Sequence, residues 1–125
     1  NLPTGNALPI LSEILEALKN LVEFGECCVI DLGAIPFTGG DEKVLQEVLG
    51  TGEVNAVLHA MGESLVQETG IPGVWRVDHY DANGETQSRF IEITFIPDIL
   101  KTQVEDAKRG RELLAERLKE RMGDT

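Results

Sequence analysis

The sequence predicts an α+β fold: a mainly antiparallel sheet of about five strands with three helices packed against it. Apolar residues recur at helical spacing in the first fifty positions, while between residues 54 and 96 they follow strand-like runs. Turn residues cut that middle stretch into segments of strand length. The strands come as a meander framed by helices, which argues against βαβ units.

The elements follow in order. Leu8, Leu11, Ile14, Leu15, Leu18 and Val22 mark a helix over residues 8–24, with Asn6 as its N-cap and Gly25 as its stop. Cys27 to Leu32 is a short apolar run that reads as a buried strand. A loop from Gly33 to Gly40 contains Pro36 and a Gly-Gly pair. Asp41 then caps a short helix whose inner face is Val44, Leu45, Val48 and Leu49, ended by Gly50 and Gly52. Three strands follow, at Val54–Ala60, Ser64–Thr69 and Val74–Tyr80. Asp81 to Gly84 is a hairpin turn whose Asn-Gly pair suits positive φ. Glu85 to Ile96 returns as a long strand, Pro97 ends it, and Asp98 opens a mixed-charge helix to about Met122.

At 125 residues the chain is expected to form a single domain, residues 1–125, able to bury one core without metal or disulfide staples. It starts without Met, which suggests a piece of a longer protein. Asn1-Leu-Pro-Thr-Gly5 has neither the basic nor the apolar region of a signal peptide. No apolar run approaches the roughly 18–20 residues of a membrane span. Cys27 and Cys28 are adjacent, and neighbours on a strand point to opposite faces, so a bridge between them is geometrically poor. That favours a reducing, cytoplasmic setting.

The densest signal lies between Glu68 and Tyr80, which holds the only Trp (Trp75), the only Tyr (Tyr80) and His79 beside a Pro-Gly turn. Alternation after the turn puts Val74, Arg76, Asp78 and Tyr80 on one face of a strand and Trp75, Val77 and His79 on the other. Trp75 reads either as a core anchor or, with Ile71 and Pro72, as an exposed apolar knob for a partner. The Pro72-Gly73 turn favours a mixture, with Trp75 inward as a prop and Ile71-Pro72 outward as the contact.

Charge is unevenly spread. Residues 1–100 carry 16 Asp and Glu against four Lys and Arg, a net of −12, while residues 101–125 carry a net of +1. An acidic body repels phosphate backbones and anionic lipid, which argues against nucleic acid and a membrane surface as partners, as the lack of a long apolar run argues against membrane insertion, and it attracts a basic protein segment. Plain solubility also accounts for such acidity.

The catalytic inventory is thin. Phe37-Thr-Gly-Gly-Asp41 lacks the Lys and the spacing of a phosphate loop. His59 and His79 become metal ligands only with help from Cys27, Cys28 or carboxylates, and no pair stands at a ligand-motif spacing. Cys27 or Cys28 as a nucleophile needs a base and a lowered pKa; the plainer reading is a small buried apolar side chain. Glu68, Asp31 and Glu92 offer acid–base chemistry only by the coincidence that 22 acids allow.

The order Asn6-Ala-Leu-Pro-Ile-Leu11, Val29-Ile-Asp-Leu32, Gly40-Asp-Glu42, Leu49-Gly-Thr-Gly-Glu-Val54, Glu68-Thr69, Ile71-Pro-Gly-Val-Trp75, His79, Ile91-Glu-Ile-Thr94 and Pro97-Asp-Ile-Leu100 resembles the C-terminal region of the hydrogenase expression/formation family of the HupH/HyaF type, over roughly residues 5 to 115. Adjacent Cys27-Cys28 and the charged tail after Gln103 depart from that pattern. The resemblance implies a cytoplasmic, non-catalytic accessory protein without a cofactor. It would act as a chaperone or scaffold in the maturation of a membrane-bound uptake nickel–iron hydrogenase. The partner expected first is the iron–sulfur small subunit before export, then the nickel-bearing large subunit or fellow maturation proteins. The family carries no agreed active site, so the expected contacts are Ile71, Pro72 and Trp75 as an apolar patch, with Asp41 and Glu42 in the acidic surface. The competing class is a metal carrier or small enzyme that needs Cys27, Cys28, His59 and His79 to converge.

Overall fold

A computed structural model describes residues 2–123. The chain divides into two compact units, Asn1–Phe95 and Ile96–Thr125. The first contains α1 (Ala7–Phe24), β1 (Cys28–Asp31), α2 (Gly39–Leu49), β2 (Asn55–His59), β3 (Glu63–Glu68), β4 (Val74–Tyr80) and β5 (Thr86–Ile93). The second contains α3 (Val104–Met122). The fold is α+β, with one five-stranded antiparallel sheet and three helices. Its strand order is β1-β5-β4-β3-β2, so β4 and β5 lie at the centre and β1 and β2 form the edges.

Register fixes which side chains share a face. Val74 pairs with Ile93, Arg76 with Ile91 and Asp78 with Arg89, while Ile30 of β1 lies opposite Ile91. Val74, Ile91, Ile93 and Ile30 form the floor of the main core. α1 covers it with Ile10, Ile14, Ala17 and Leu21, and α2 with Leu45 and Leu49. Each such aliphatic side chain contributes about 1.5–3 kcal/mol when taken from water. On the other face Trp75, Val77 and Val66 are buried, with Val77 opposite both Val66 and Phe90.

Several local expectations need correction. The face of α1 that meets the sheet is Ala7, Ile10, Ile14, Ala17 and Leu21; Leu8, Leu15 and Val22 point to solvent. On α2, Val48 is likewise exposed. Asn6 makes no cap bond but donates from Nδ2 to the Pro36 carbonyl at 2.6 Å. α2 starts earlier than expected, with Thr38 as its N-cap, because Thr38 and Asp41 close a reciprocal capping box. The β4–β5 hairpin uses no positive φ at Asn83, only at Gly84 (φ +82°), because the Asp81 carboxylate accepts from the amides of Asn83 and Glu85 at 2.9 and 3.0 Å. Asp98 opens only a 3-10 turn, Asp98–Leu100. α3 begins at Val104 with Glu105 and Asp106 in its first turn and Lys119 and Arg121 in its last, matching the helix dipole.

Candidate partner-binding surface

The turn between β3 and β4 is Thr69-Gly-Ile-Pro-Gly73, and it is built on one buried hydroxyl. Thr69 Oγ1 lies 2.8 Å from the Val74 carbonyl and 3.2 Å from that of Ile71, and it accepts from the Ile71 amide at 3.1 Å. Backbone bonds from Thr69 N to Val74 O (3.1 Å) and from Val74 N to Ile71 O (3.0 Å) close the loop, which leaves through Gly73 at φ +92°. An L side chain at Gly73 would sit in the left-handed region, so glycine is the fitting residue there.

The segment after α2 clamps this turn from outside. Gly52 N donates to Glu68 O and Gly70 N to Leu49 O, both at 2.9 Å. A Cβ on Gly52 would stand 2.5 Å from the Thr69 carbonyl, and one on Gly70 2.8 Å from the Leu49 carbonyl. The two strongest sequence motifs, Leu49-Gly-Thr-Gly-Glu53 and Glu68 to Trp75, therefore mesh backbone against backbone. Their glycines allow the close approach. The product is a rigid loop with Ile71 (36% exposed) and Pro72 at its tip.

Of the five residues expected at a partner surface, only Ile71 and Pro72 are presented outward. Trp75 is buried, with Nε1 donating to the Thr94 carbonyl at 3.2 Å. It is anchored within the fold on the sheet face opposite Val74 rather than displayed beside Ile71 and Pro72.

Asp41 is fully buried rather than part of an acidic surface. It receives Thr4 N and Thr4 Oγ1 at 2.7 Å each and Thr38 N at 3.0 Å, so it ties the segment before α1 to the start of α2. Burial pushes its carboxyl upward, but hydrogen bonds from Thr38 and Thr4 outweigh that and hold it down at about 2.

Glu42 is not free negative charge either. Arg76, on the helix-facing side of β4, grips it bidentately, with Nη1 to Oε2 at 2.7 Å and Nη2 on Oε1. Arg89 Nη2 adds a third bond to Oε1 at 3.0 Å and faces Asp78 Oδ1 at 3.5 Å through Nε. Burial would lower the Arg76 pKa, but the Glu42 hydrogen bond and charge raise it, so the cation is held firmly. Arg76 Nε and Asp78 Oδ1 are buried without a hydrogen-bond partner, and Arg89 meets Asp78 only as an ion pair. This network locks α2 to the sheet.

The thiols and imidazoles do not converge. Cys28 starts one edge strand and His59 ends the other, roughly 19 Å apart across the sheet at about 4.8 Å per strand. Cys27 is exposed, with Sγ 3.3 Å from Thr94 Oγ1. The Cys28 thiol is pushed up by burial and by the Glu13 charge, opposite to what a nucleophile needs. His79 shares a 2.7 Å hydrogen bond with Ser64 and stands edge-on to Phe90; His59 pairs with Glu63 at 3.0 Å. Among the described residues no three His, Cys, Asp or Glu side chains are grouped as metal ligands. Among them, too, no helix is long and apolar enough to cross a membrane.

A family model described as HupH hydrogenase expression protein, C-terminal conserved region, matches residues 4–121. The hydrogenase expression/formation protein HupQ of Azotobacter chroococcum mcd 1 is 34% identical over 113 residues, covering 89% of this chain and 40% of that protein. HoxQ of Azotobacter vinelandii, with the same description, is 32% identical over 119 residues, or 92% of this chain and 42% of that protein. The chain thus spans about two fifths of the length of these curated relatives. The solved structure of hydrogenase expression protein HupH from Thiobacillus denitrificans ATCC 25259 matches with a TM-score of 0.90 at 43% identity, over 94% of this chain and 98% of that one.

Proposed function

Since the chain belongs to the HupH hydrogenase expression protein family, as its C-terminal conserved region, we propose that it serves hydrogenase maturation as a non-catalytic binding module. In this reading it works in the cytoplasm as a chaperone or scaffold for a subunit of a membrane-bound uptake nickel–iron hydrogenase, before that subunit is exported. The small subunit is the first partner and the large subunit the second.

One observation carries the reading: the chain's strongest motifs build a rigid turn whose exposed tip is apolar. Thr69, Gly52 and Gly70 spend their chemistry on backbone geometry and leave Ile71 and Pro72 in solvent. A rigid apolar tip loses little entropy on docking, which is how small contact surfaces gain affinity. The Cys28 thiol, pushed up by burial and the Glu13 charge, and the distance between Cys28 and His59 on opposite edges of the sheet support binding over thiol chemistry.

The test is tagged capture from cells expressing a hydrogenase operon, with the bound proteins identified by mass spectrometry. The small-subunit precursor is the expected catch, and it should be lost with Ile71→Ser. Recovery of neither hydrogenase subunit would overturn the reading.

A further inference from the structure

α1 carries a second apolar stripe that the sheet does not use. Leu8, Leu11, Leu15, Leu18 and Val22 follow one another at alternating steps of three and four residues, the spacing of a coiled-coil seam. Leu11 and Leu18 are half-buried against the core, while Leu8, Leu15 and Val22 are 66%, 57% and 81% exposed. The fourteen steps from Leu8 to Val22, at about 1.5 Å each, make the stripe roughly 21 Å long, about four helical turns.

Its position follows from what lies on the other flank of α1. Glu13, Ala17 and Asn20 line a cleft of about 290 Å³ with Cys27 and Cys28, on the β1 side. The leucines occupy the opposite flank, the one toward α2. The two helices run side by side in the same direction. Thr4 is tied to Asp41 at their N-termini; at the far ends Leu18 and Leu21 approach Gly73, while the Leu49 carbonyl bonds Gly70. On α2, Val44 and exposed Val48 lie on the flank away from Gln46, which reaches Thr51 beyond. A Cβ on Gly73 would stand 3.1 Å from Leu18 Cδ2, so the stripe runs on into the Ile71-Pro72 turn.

We propose that this strip, the valley between α1 and α2 continued by Ile71-Pro72, is the docking site for an amphipathic helix with Lys/Arg flanks, supplied by a partner protein. The inference rests on the binding role proposed above and names the chemistry of the partner. Its length and spacing fit anchors at i, i+3, i+4 and i+7 of a four-turn helix. Charge selects the sign of that helix. Glu23 and Glu47 are exposed on the two helices against Lys43, while Lys19 is paired at 3.7 Å with Glu16, which lines the cleft on the other flank. Residues 1–95 as a whole hold 15 acids and four bases, so the unit is acidic overall. A second copy meeting α1 against α1 would bring the same glutamates together, and like charges at such a seam are repulsive.

The probe is a synthetic 21-residue helical peptide with leucines at seam positions and Lys/Arg at the flanks, beside a twin carrying Glu at those flanks. The basic peptide should bind, the acidic twin at least tenfold more weakly, and Leu15→Glu should weaken the basic peptide at least tenfold with an unchanged melt. Val22→Ser serves as the second variant should Leu15→Glu fail to fold. Absence of binding at millimolar basic peptide, or equal binding by the variants, overturns the proposal. So does sedimentation of the chain as a dimer that Leu15→Glu converts to monomer, since a second copy would then occupy the strip. Peptide binding without capture of a hydrogenase subunit would keep the groove and sink the hydrogenase reading; the reverse would sink only the groove.

Discussion

Replacing Trp75 with alanine separates a prop from a contact. The ring is buried on the sheet face opposite α1 and α2, close to Val66 and Val77, and its Nε1 donates to the Thr94 carbonyl at 3.2 Å. Removing a buried Trp costs about 3–5 kcal/mol through lost transfer energy and the cavity left behind. The lost hydrogen bond adds about 1 kcal/mol. Against a total stability of about 5–15 kcal/mol for a domain, that is a large share. In thermal terms the melting temperature should fall by on the order of 10–20 °C. Far-ultraviolet circular dichroism is the assay, since the variant has no Trp left to report by fluorescence. Trp75→Phe should recover most of the loss, because it refills the cavity without restoring the bond. A melting temperature for Trp75→Ala within about 2 °C of the parent would refute the buried-prop account and return Trp75 to the contact surface.

Three further outcomes follow from the same geometry. Gly52→Ala should destabilise by about 1–3 kcal/mol in urea titration, since its Cβ would meet the Thr69 carbonyl at 2.5 Å, whereas Gly110→Ala on open α3 should stabilise by about 1 kcal/mol. Asp41 has a folded pKa of about 2 against an ordinary 3.8, so its contribution is fully present above about pH 4 and is lost as pH falls toward 2; Asp41→Asn should therefore flatten the acid-unfolding profile across that window. Iodoacetamide mapped by mass spectrometry should label exposed Cys27 well before Cys28, whose thiol is half-buried and shifted upward; equal rates would contradict the burial of Cys28.

How much was legible in the sequence depended on whether a signal was local. The β4 boundaries, punctuated by Gly73 and the Asp81–Gly84 turn, fell at Val74 and Tyr80 as expected, whereas the last strand ends at Ile93, three residues short of the expected Ile96. The face of α1 was not legible, because two apolar stripes share that helix and the leucine-rich one is the stronger hydrophobic signal. The core instead takes the stripe of Ala7, Ile10, Ile14, Ala17 and Leu21, two of whose members are alanines that add little to a hydrophobic signal. Asp41 and Glu42 showed the same limit. An acid with no visible partner reads as surface charge, while Thr4 lies 37 residues from Asp41 and Arg76 lies 34 from Glu42. The capping box was present in the sequence as Thr38-Gly-Gly-Asp41, and Thr38 was its overlooked half. The Ile71-Pro72 turn could be read as exposed from Pro-Gly chemistry alone, whereas its clamp by Gly52 and Gly70 joins segments that only the fold brings together.

Ile71 and Pro72 are proposed as the tip of a contact surface for a hydrogenase subunit. Calorimetric titration of the purified small-subunit precursor into the chain, and into Ile71→Ser, tests that contact most directly, because Ile71 makes no side-chain contribution to the Thr69 hydrogen bonds that hold the turn. The Ile71→Ser protein is expected to stay folded, melting within several degrees of the parent because Ile71 is only 36% exposed, and to bind at least tenfold more weakly, a loss of about 1.4 kcal/mol or more. Parental affinity is expected to weaken between low and physiological salt, as exposed charges are screened over about 8–10 Å. Equal affinity for the two proteins would rule out Ile71 as part of the contact.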